Sequence, residues 1–351
     1  MPKCPDSRFA IPASDRSDNY VLDLLGGIVR RRPLTGEEAL AQLNRLEEDA
    51  KRGNPTAQTE FARYLLTDAP DSRKNRRALA LLRRAAKRKL PEALYLLGIV
   101  LLRGQGLKAD PVEGANYLHQ AALLGSAGAA NDYAKLCRLG YGRQASDKDA
   151  LYWFRIAGAQ GQVHAQREAG LALRDGRGSP KNLDEASKWL RQAAQGRDPV
   201  AQFELARLYQ RRDWSQADPV EAQRWLNDAA ISGIVEAQYR LGVYYWAGRG
   251  GRVDLREAVR WTCRAAENGS TQALTTLADF FLTGNALPLN RFNAYTLLKC
   301  AARRHDMNAL MTLKALDRML TAAEKNKATR LVMTTKSPKV LVETLIPRQS
   351  R

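Results

Sequence analysis

Residues 246–269, WAGRGGRVDLREAVRWTCRAAENG, place a glycine-rich loop before a segment with the apolar spacing of a helix. Residues 174–196, RDGRGSPKNLDEASKWLRQAAQG, repeat this order of loop glycines, tryptophan and closing small residues. Extending the match in both directions gives a period of 36 residues over seven copies, without insertion or deletion. The copies start at Asn54, Leu90, Ser126, Gln162, Asp198, Ile234 and Ser270. Such regularity predicts an array of similar units rather than one large core.

The first half of each copy has the pattern of one helix face. Its fourth residue is always alanine, and large, small and large residues follow four, five and eight positions later, as in Ala57, Phe61, Ala62 and Leu65. Residues at i, i+4, i+5 and i+8 share one side of an α-helix. We name this segment helix A.

A second helix, helix B, begins about 22 residues into each copy. In four copies it carries a tryptophan at the same place, and it closes with paired small residues. Glycines follow both helices, and Asp110, Asp218 and Asp254 precede helices B as N-caps. The four tryptophans, predicted to pack between hairpins rather than to form a ligand cage, are Trp153, Trp189, Trp225 and Trp261.

One such hairpin cannot bury its apolar face alone, so successive hairpins must stack. The predicted fold is all-α: a right-handed α-α superhelical solenoid of about seven 36-residue helix hairpins with capping helices. The predicted organisation is a mobile segment over 1–34, a capping helix over 35–53, the solenoid over 54–305, capping helices over 306–335 and a mobile tail over 336–351.

The Leu-Gly or Leu-Ala pair of helix A, the Gly-x-Gly loop, the Ala and Trp-Leu of helix B and the closing Ala-Ala-x-x-Gly resemble Sel1-like repeats, relatives of the tetratricopeptide repeat. The resemblance covers about residues 54–310. Copies 1 and 5 lack both loop glycines, with Asp68, Pro70, Arg212 and Trp214 there instead, and copy 7 keeps only Gly284. We expect those hairpins to bend differently.

The resemblance implies that helices A line a concave groove, with groove-facing residues at offsets 5, 9 and 12 from each copy start. Its apolar and aromatic ends flank a basic middle, which suits a protein partner with acidic and apolar segments. We therefore predict a non-catalytic adaptor. The groove residues are Tyr95, Ile99, Lys135, Arg138, Arg167, Arg174, Phe203, Arg207, Tyr239, Val243 and Trp246.

The formal net charge of +19 favours acidic partners. Residues 73–89 contain nine cations and no acid, which predicts either a solvated helix face or a site for an anionic polymer. The alternative function is thus binding of nucleic acid or of an exopolysaccharide such as alginate. This basic patch comprises Arg73, Lys74, Arg76, Arg77, Arg83, Arg84, Lys87 and Arg88.

No catalytic, cofactor or metal motif recurs on one face, so we predict neither an enzyme nor a cofactor. His119, His164 and His305 lie in different copies, without Cys or carboxylates at ligand spacing. The four cysteines are too scattered for a disulfide framework.

No run of 18 apolar residues occurs, so no transmembrane segment is expected. The apolar stretch 20–29 has its basic residues after it, opposite to a secretory signal. We expect a cytoplasmic protein, with the bacterial periplasm or cell envelope as the alternative if the native start carries a signal.

Overall fold

In the computed structural model, the described residues are 36–67, 72–104, 108–335 and 337–347, and they form eighteen helices and no strand. The segment 1–34 lies outside the described residues, as do Asp68, Pro70, Gly106 and the tail residues 336 and 348–351. The fold is an all-α repeat solenoid, as the 36-residue period predicts.

The helices follow the predicted A and B order. Their bounds are α1 Gly36–Lys51, α2 Pro55–Thr67, α3 Ser72–Ala86, α4 Pro91–Arg103, α5 Pro111–Leu123, α6 Ala127–Leu139, α7 Asp147–Ala159, α8 Val163–Asp175, α9 Leu183–Gln195, α10 Pro199–Tyr209, α11 Pro219–Ile231, α12 Val235–Ala247, α13 Leu255–Glu267, α14 Thr271–Thr283, α15 Arg291–Ala302, α16 Met307–Leu316, α17 Ala322–Thr334 and α18 Pro338–Leu345. Helices A are the even-numbered α2 to α14 and helices B the odd-numbered α3 to α15. The first helix, α1, corresponds to a helix B, and α16 to a helix A of an eighth copy.

Side-chain caps and left-handed residues set the helix ends. Asp110 and Asp254 accept backbone N–H groups three residues on, at 2.9 and 3.0 Å, which satisfies donors that the first helical turn leaves free. Gly104 and Gly248 end their helices A with φ of 61° and 62°. A side chain would resist this conformation, so the loop glycines stop helix A where the chain must turn.

Copy 5 turns without loop glycines. Its helix A, α10, has 11 residues against 13 in its neighbour α8, and ends at Gln210 in a right-handed conformation. The buried Trp214 fills the following loop, and its indole Nε1 donates to Asp184 at 2.8 Å. A packed tryptophan thus replaces the glycine turn in this hairpin.

The chain divides into two compact units, the first up to Gln162 and the second from Val163. Within each unit, a helix A packs on the helix B of its own hairpin and on the helix B before it. The invariant alanines, such as Ala93, Ala129 and Ala201, have no exposed surface. Small residues let helix axes approach closely, while larger neighbours fill the remaining space.

Buried glutamines fasten successive hairpins. The side-chain amides of Gln58 and Gln238 donate to the carbonyls of Ala50 and Ala230, at 3.1 and 3.0 Å. Each acceptor lies near the end of the preceding helix B, where carbonyl groups have no intrahelical partner. The apolar pattern did not predict this contact, because it counted only hydrophobic and small positions.

The C-terminal end differs from the mobile tail predicted over 336–351. Residues 338–345 form α18, which packs against α13 and α15 within the second unit. Leu341, Val342 and Leu345 are buried there, at spacings that share one helix face. The proline and polar residues around this short stretch masked its apolar periodicity in the sequence.

Candidate functional site

In the first unit, predicted groove residues meet around an acid that the sequence analysis did not select. The Tyr95 hydroxyl donates to Asp132 Oδ2 at 3.0 Å, and Lys135 Nζ lies 2.8 Å from Asp132 Oδ1. Burial, reinforced by Asp132, raises the pKa of Tyr95 well above its ordinary value. Ile99, on the same helix α4 as Tyr95, is half-buried. The Arg138 guanidinium lies over the Phe154 ring, 5.6 Å from the ring centroid.

In the second unit, the predicted arginines are paired within the protein. Arg167 contacts Asp198 at 2.7 Å, and Arg207 contacts Glu204 at 3.1 Å. Arg174 pairs with Asp175 at 2.7 Å and also with Glu204. Burial lowers the pKa of Arg174, but these carboxylates outweigh that effect and raise it above its usual value.

The aromatic groove residues of the second unit differ in exposure. Phe203 is half-buried under the guanidinium groups of Arg207 and Arg240, at 5.9 and 6.0 Å from its ring centroid. Tyr239 packs partly against the core, whereas Trp246 keeps 48% of its surface exposed. Half-buried Val243 lies between them along α12.

Copy 7 holds Asp279 at offset 9, a position that is not among the predicted groove residues. Partial burial raises the pKa of this carboxyl, and no ion pair among the described residues includes it. The same register used for copies 2 to 6 would have found it.

The charge on helices A is balanced. The seven helices A carry eight basic and eight acidic residues, whereas the seven helices B carry sixteen basic and nine acidic residues. Acids on the same helices therefore balance the basic residues predicted for the middle of the groove, whereas helices B carry an excess of seven basic residues. The pairing was missed because its acids occupy other offsets, as Asp132 and Glu204 do.

The basic patch lies on α3 and the turn after it. Arg77 pairs with Glu47 at 2.5 Å and lies over Phe61, and Arg83 pairs with Glu113 at 3.6 Å. The Arg77 hydrogen bond, together with Lys51, lowers the pKa of Glu47. Lys74 is half-buried. The remaining cations of the patch are exposed, three on α3 and two in the turn after it: Arg73, Arg76, Arg84, Lys87 and Arg88.

The histidines and cysteines form no metal site among the described residues. His119 stacks on Tyr133 at 4.7 Å and meets the edge of Trp153 at 5.4 Å, and burial, with Arg143, lowers its pKa. Burial also raises the pKa of the Cys137 thiol to about 11, which makes it a poor nucleophile.

The tryptophans of helices B behave as packing residues. Trp153, Trp225 and Trp261 are buried and Trp189 is half-buried, so the packing prediction is confirmed.

Among the described helices, none combines the length and apolar character needed to cross a lipid bilayer.

Comparison with known families supports the repeat assignment. The model of the Sel1 repeat matches residues 57–90, 91–126, 127–162, 163–198, 199–233, 235–270 and 271–306. No curated protein sequence is significantly similar to the chain.

Solved structures with similar folds include a Sel1 repeat protein from Oxalobacter formigenes, 25% identical over 70% of this chain and 96% of that one, with a TM-score of 0.55. The protective antigen c5321 of uropathogenic Escherichia coli, which displays an SLR fold, is 18% identical over 95% of this chain and 84% of its own, with a TM-score of 0.41. The immunity protein Pa5087 from Pseudomonas aeruginosa is 20% identical over 59% and 80%, with a TM-score of 0.31.

Proposed function

Because the chain belongs to the Sel1 repeat family, whose helical repeats commonly mediate protein–protein interactions, we propose that it is a non-catalytic adaptor. Its partner, a protein or peptide, lies along the helix-A groove defined by the residues at offsets 5, 9 and 12. Residues from several copies contribute to the contact, so affinity comes from many modest interactions around a few anchors.

The observation that carries this proposal is the composition of the groove positions. Phe203 and Tyr239 occupy these positions and pack only partly against the core, and Trp246 keeps 48% of its surface exposed, so aromatic surface remains available there. Aromatic residues supply the largest buried area per side chain at protein interfaces. A charge-balanced surface with aromatic anchors fits a protein partner better than a polyanion.

The arginines act in this proposal as orienting groups. Arg174 and Arg207 both contact Glu204, which leaves guanidinium N–H groups beyond those ion pairs. An acidic segment of the partner would join this network rather than meet isolated cations. Because the pairs are already formed, its net contribution to affinity is modest, and its effect on orientation is larger.

The test is capture of partner proteins from lysate of the source cells by the purified full chain. We expect Trp246→Ala to weaken binding of the captured protein about tenfold, because truncating an aromatic anchor at an interface costs about 1.4 kcal/mol or more. Tyr152→Ala removes an aromatic residue of similar exposure from α7, a helix B, and should leave binding unchanged. Joint replacement of Arg138, Arg167, Arg174 and Arg207 by alanine should also weaken capture.

Circular dichroism of each variant separates loss of binding from loss of fold. Equal capture by the wild type, Trp246→Ala and the arginine variant would contradict the groove. Loss of capture by Tyr152→Ala with Trp246→Ala unaffected would move the site to helices B.

A second candidate function, binding of an anionic polymer, is favoured by one observation. Six of the sixteen basic residues on helices B lie on α3, which contains no acid. Contacts to a polymer's anionic groups would weaken steeply with rising salt. Binding of the full chain to a DNA or RNA oligonucleotide, measured over a range of salt concentrations, tests this candidate.

A further inference from the structure

Two exposed leucines in one hairpin of the first unit occupy the places that two cations hold in the preceding hairpin. Lys87 and Leu123 both lie at offset 33 of their copies, and Arg88 and Leu124 at offset 34. Lys89 follows at the turn between α3 and α4. We call these five residues the turn edge.

One surface hollow places these two turns side by side. Leu90, which follows Lys89 directly, and Leu124 line the same open hollow of about 370 Å³. Two carboxylates of the hollow, Glu60 and Glu92, both pair with Arg63, at 3.6 and 2.5 Å. Arg63 balances one of these two carboxylate charges, and the three cations of the turn edge exceed the one that remains.

Both components of the turn edge are exposed. Leu123 keeps 65% and Leu124 46% of its surface accessible, although leucine side chains are usually buried. Lys87, Arg88 and Lys89 are exposed, and no ion pair among the described residues includes them. Apolar and cationic groups left together in water are both stabilised by an anionic, partly apolar surface.

We propose that the turn edge is a membrane-contact site that places the first unit on a lipid surface containing anionic headgroups. Lys87, Arg88 and Lys89 contact the headgroup phosphates, while Leu123 and Leu124 enter the boundary between headgroups and acyl chains. The turn edge occupies offsets 33 to 35 and contains no residue at offset 5, 9 or 12, so it does not depend on the proposed adaptor function. An adaptor with both surfaces would hold its protein partner beside a membrane.

The leucines distinguish a lipid surface from a nucleic acid. A nucleic acid would use the three cations and gain nothing from two aliphatic side chains, and no aromatic residue stands among these cations to stack on bases. At a membrane interface, apolar burial and electrostatic attraction act together. Binding to lipid should therefore require both halves of the turn edge.

The test is cosedimentation of the full chain with vesicles of phosphatidylcholine alone or mixed with phosphatidylglycerol. We expect binding to the mixed vesicles only, reduced about tenfold or more by Leu123→Ser with Leu124→Ser, and likewise by Lys87→Glu with Arg88→Glu. Ile231→Ser is the matched control. Ile231 occupies offset 33 of copy 5 and is 63% exposed, but the preceding turn carries Gln195, Gly196 and Arg197 instead of three cations. This variant should bind as the wild type does.

Three outcomes would overturn the proposal: no binding of the wild type to mixed vesicles, unchanged binding after the double leucine substitution, or an equal loss in Ile231→Ser. Binding to a DNA or RNA oligonucleotide that depends on the cations alone would favour the anionic-polymer candidate instead. Trp246→Ala should still bind vesicles, and the double leucine variant should still capture the protein partner, so failure of either proposal is recognised separately.

Discussion

The residue directly before the start of each copy adopts the left-handed conformation. This holds for the seven copies and for the partial eighth, which gives eight such residues. Five of these residues are glycines with φ between 87° and 99°, namely Gly53, Gly125, Gly161, Gly233 and Gly269. The other three are Lys89, Arg197 and His305, with φ of 56°, 61° and 63°. The turn after helix B thus imposes its geometry even where a side chain opposes it, because the next helix A must reverse direction there.

Arg197→Gly should therefore stabilise the second unit. The left-handed conformation costs a residue with a side chain about 1–2 kcal/mol, and the greater freedom of glycine in the unfolded chain offsets part of the gain. We expect the free energy of unfolding to rise by about 0.5–1 kcal/mol, measured by urea denaturation.

The reciprocal variant Gly233→Arg tests the same conformation. A Cβ at Gly233 would meet no atom within 4 Å, so the substitution introduces no clash at Cβ and the expected effect comes from backbone strain. This variant should be less stable than the wild type by about 1 kcal/mol. The same sign of change in both variants would show that the turn does not limit stability.

At the scale of helices, close approach depends on glycine pairs as well as on alanine. A Cβ added to Gly98 on α4 would lie 2.9 Å from the Gly114 carbonyl oxygen on α5 and 2.9 Å from Leu118 Cγ. The equivalent residue is alanine in copies 1, 3, 5 and 7. Hairpins with the same pattern therefore pack at slightly different separations, which the repeat alone does not reveal.

Gly98→Ala should destabilise the first unit by about 1–3 kcal/mol, because overpacking a close contact costs more than the roughly 1 kcal/mol gained from the higher helix propensity of alanine. Thermal denaturation would report the change. Gly128→Ala is the matched control. Its Cβ would lie 3.8 Å from the nearest ring atom of Tyr95, so room remains and stability should stay equal or rise slightly. If both variants are equally stabilised, the α4–α5 contact is not limiting.

Ion pairs that bridge neighbouring helices A were not predictable from the repeat. Arg167 contacts Asp198 31 residues later, and Arg174 contacts Glu204 30 residues later. Residues 36 apart occupy equivalent places in neighbouring copies. Because the arginine side chain is long, it can pair with a residue one or more helical turns away from the equivalent place, here 30 or 31 residues later. The basic groove expected from Arg167, Arg174 and Arg207 is consequently part of a mixed-charge network.

On the scale of the whole molecule, an array of hairpins needs covered ends, because each hairpin otherwise leaves one face exposed. In the second unit, α17 packs on α15, and α18 packs on both α13 and α15. The covering helices lack the 36-residue pattern. The 36-residue pattern therefore ends near residue 310, and the sequence predicts a tail where α18 forms.

Leu341→Ala should loosen this C-terminal cover. Leu341 is 1% exposed, and truncating a buried leucine costs about 2–5 kcal/mol. We expect faster amide hydrogen exchange in α13, α15 and α18, and unchanged exchange in α2 to α7. Val340→Ala changes a neighbour that is 49% exposed and should have little effect. Unchanged protection of α15 in Leu341→Ala would show that α18 does not stabilise the array.

The sequence by itself determined the hairpin order, the period and the buried small-large positions of this protein, since these follow from local spacing repeated at a fixed interval. Tertiary structure alone decided which charges neutralise one another, how Trp214 replaces a glycine turn and where α18 packs. Those contacts join side chains on different helices. Their partners depend on helix separation and side-chain reach in three dimensions, which no spacing along one chain specifies.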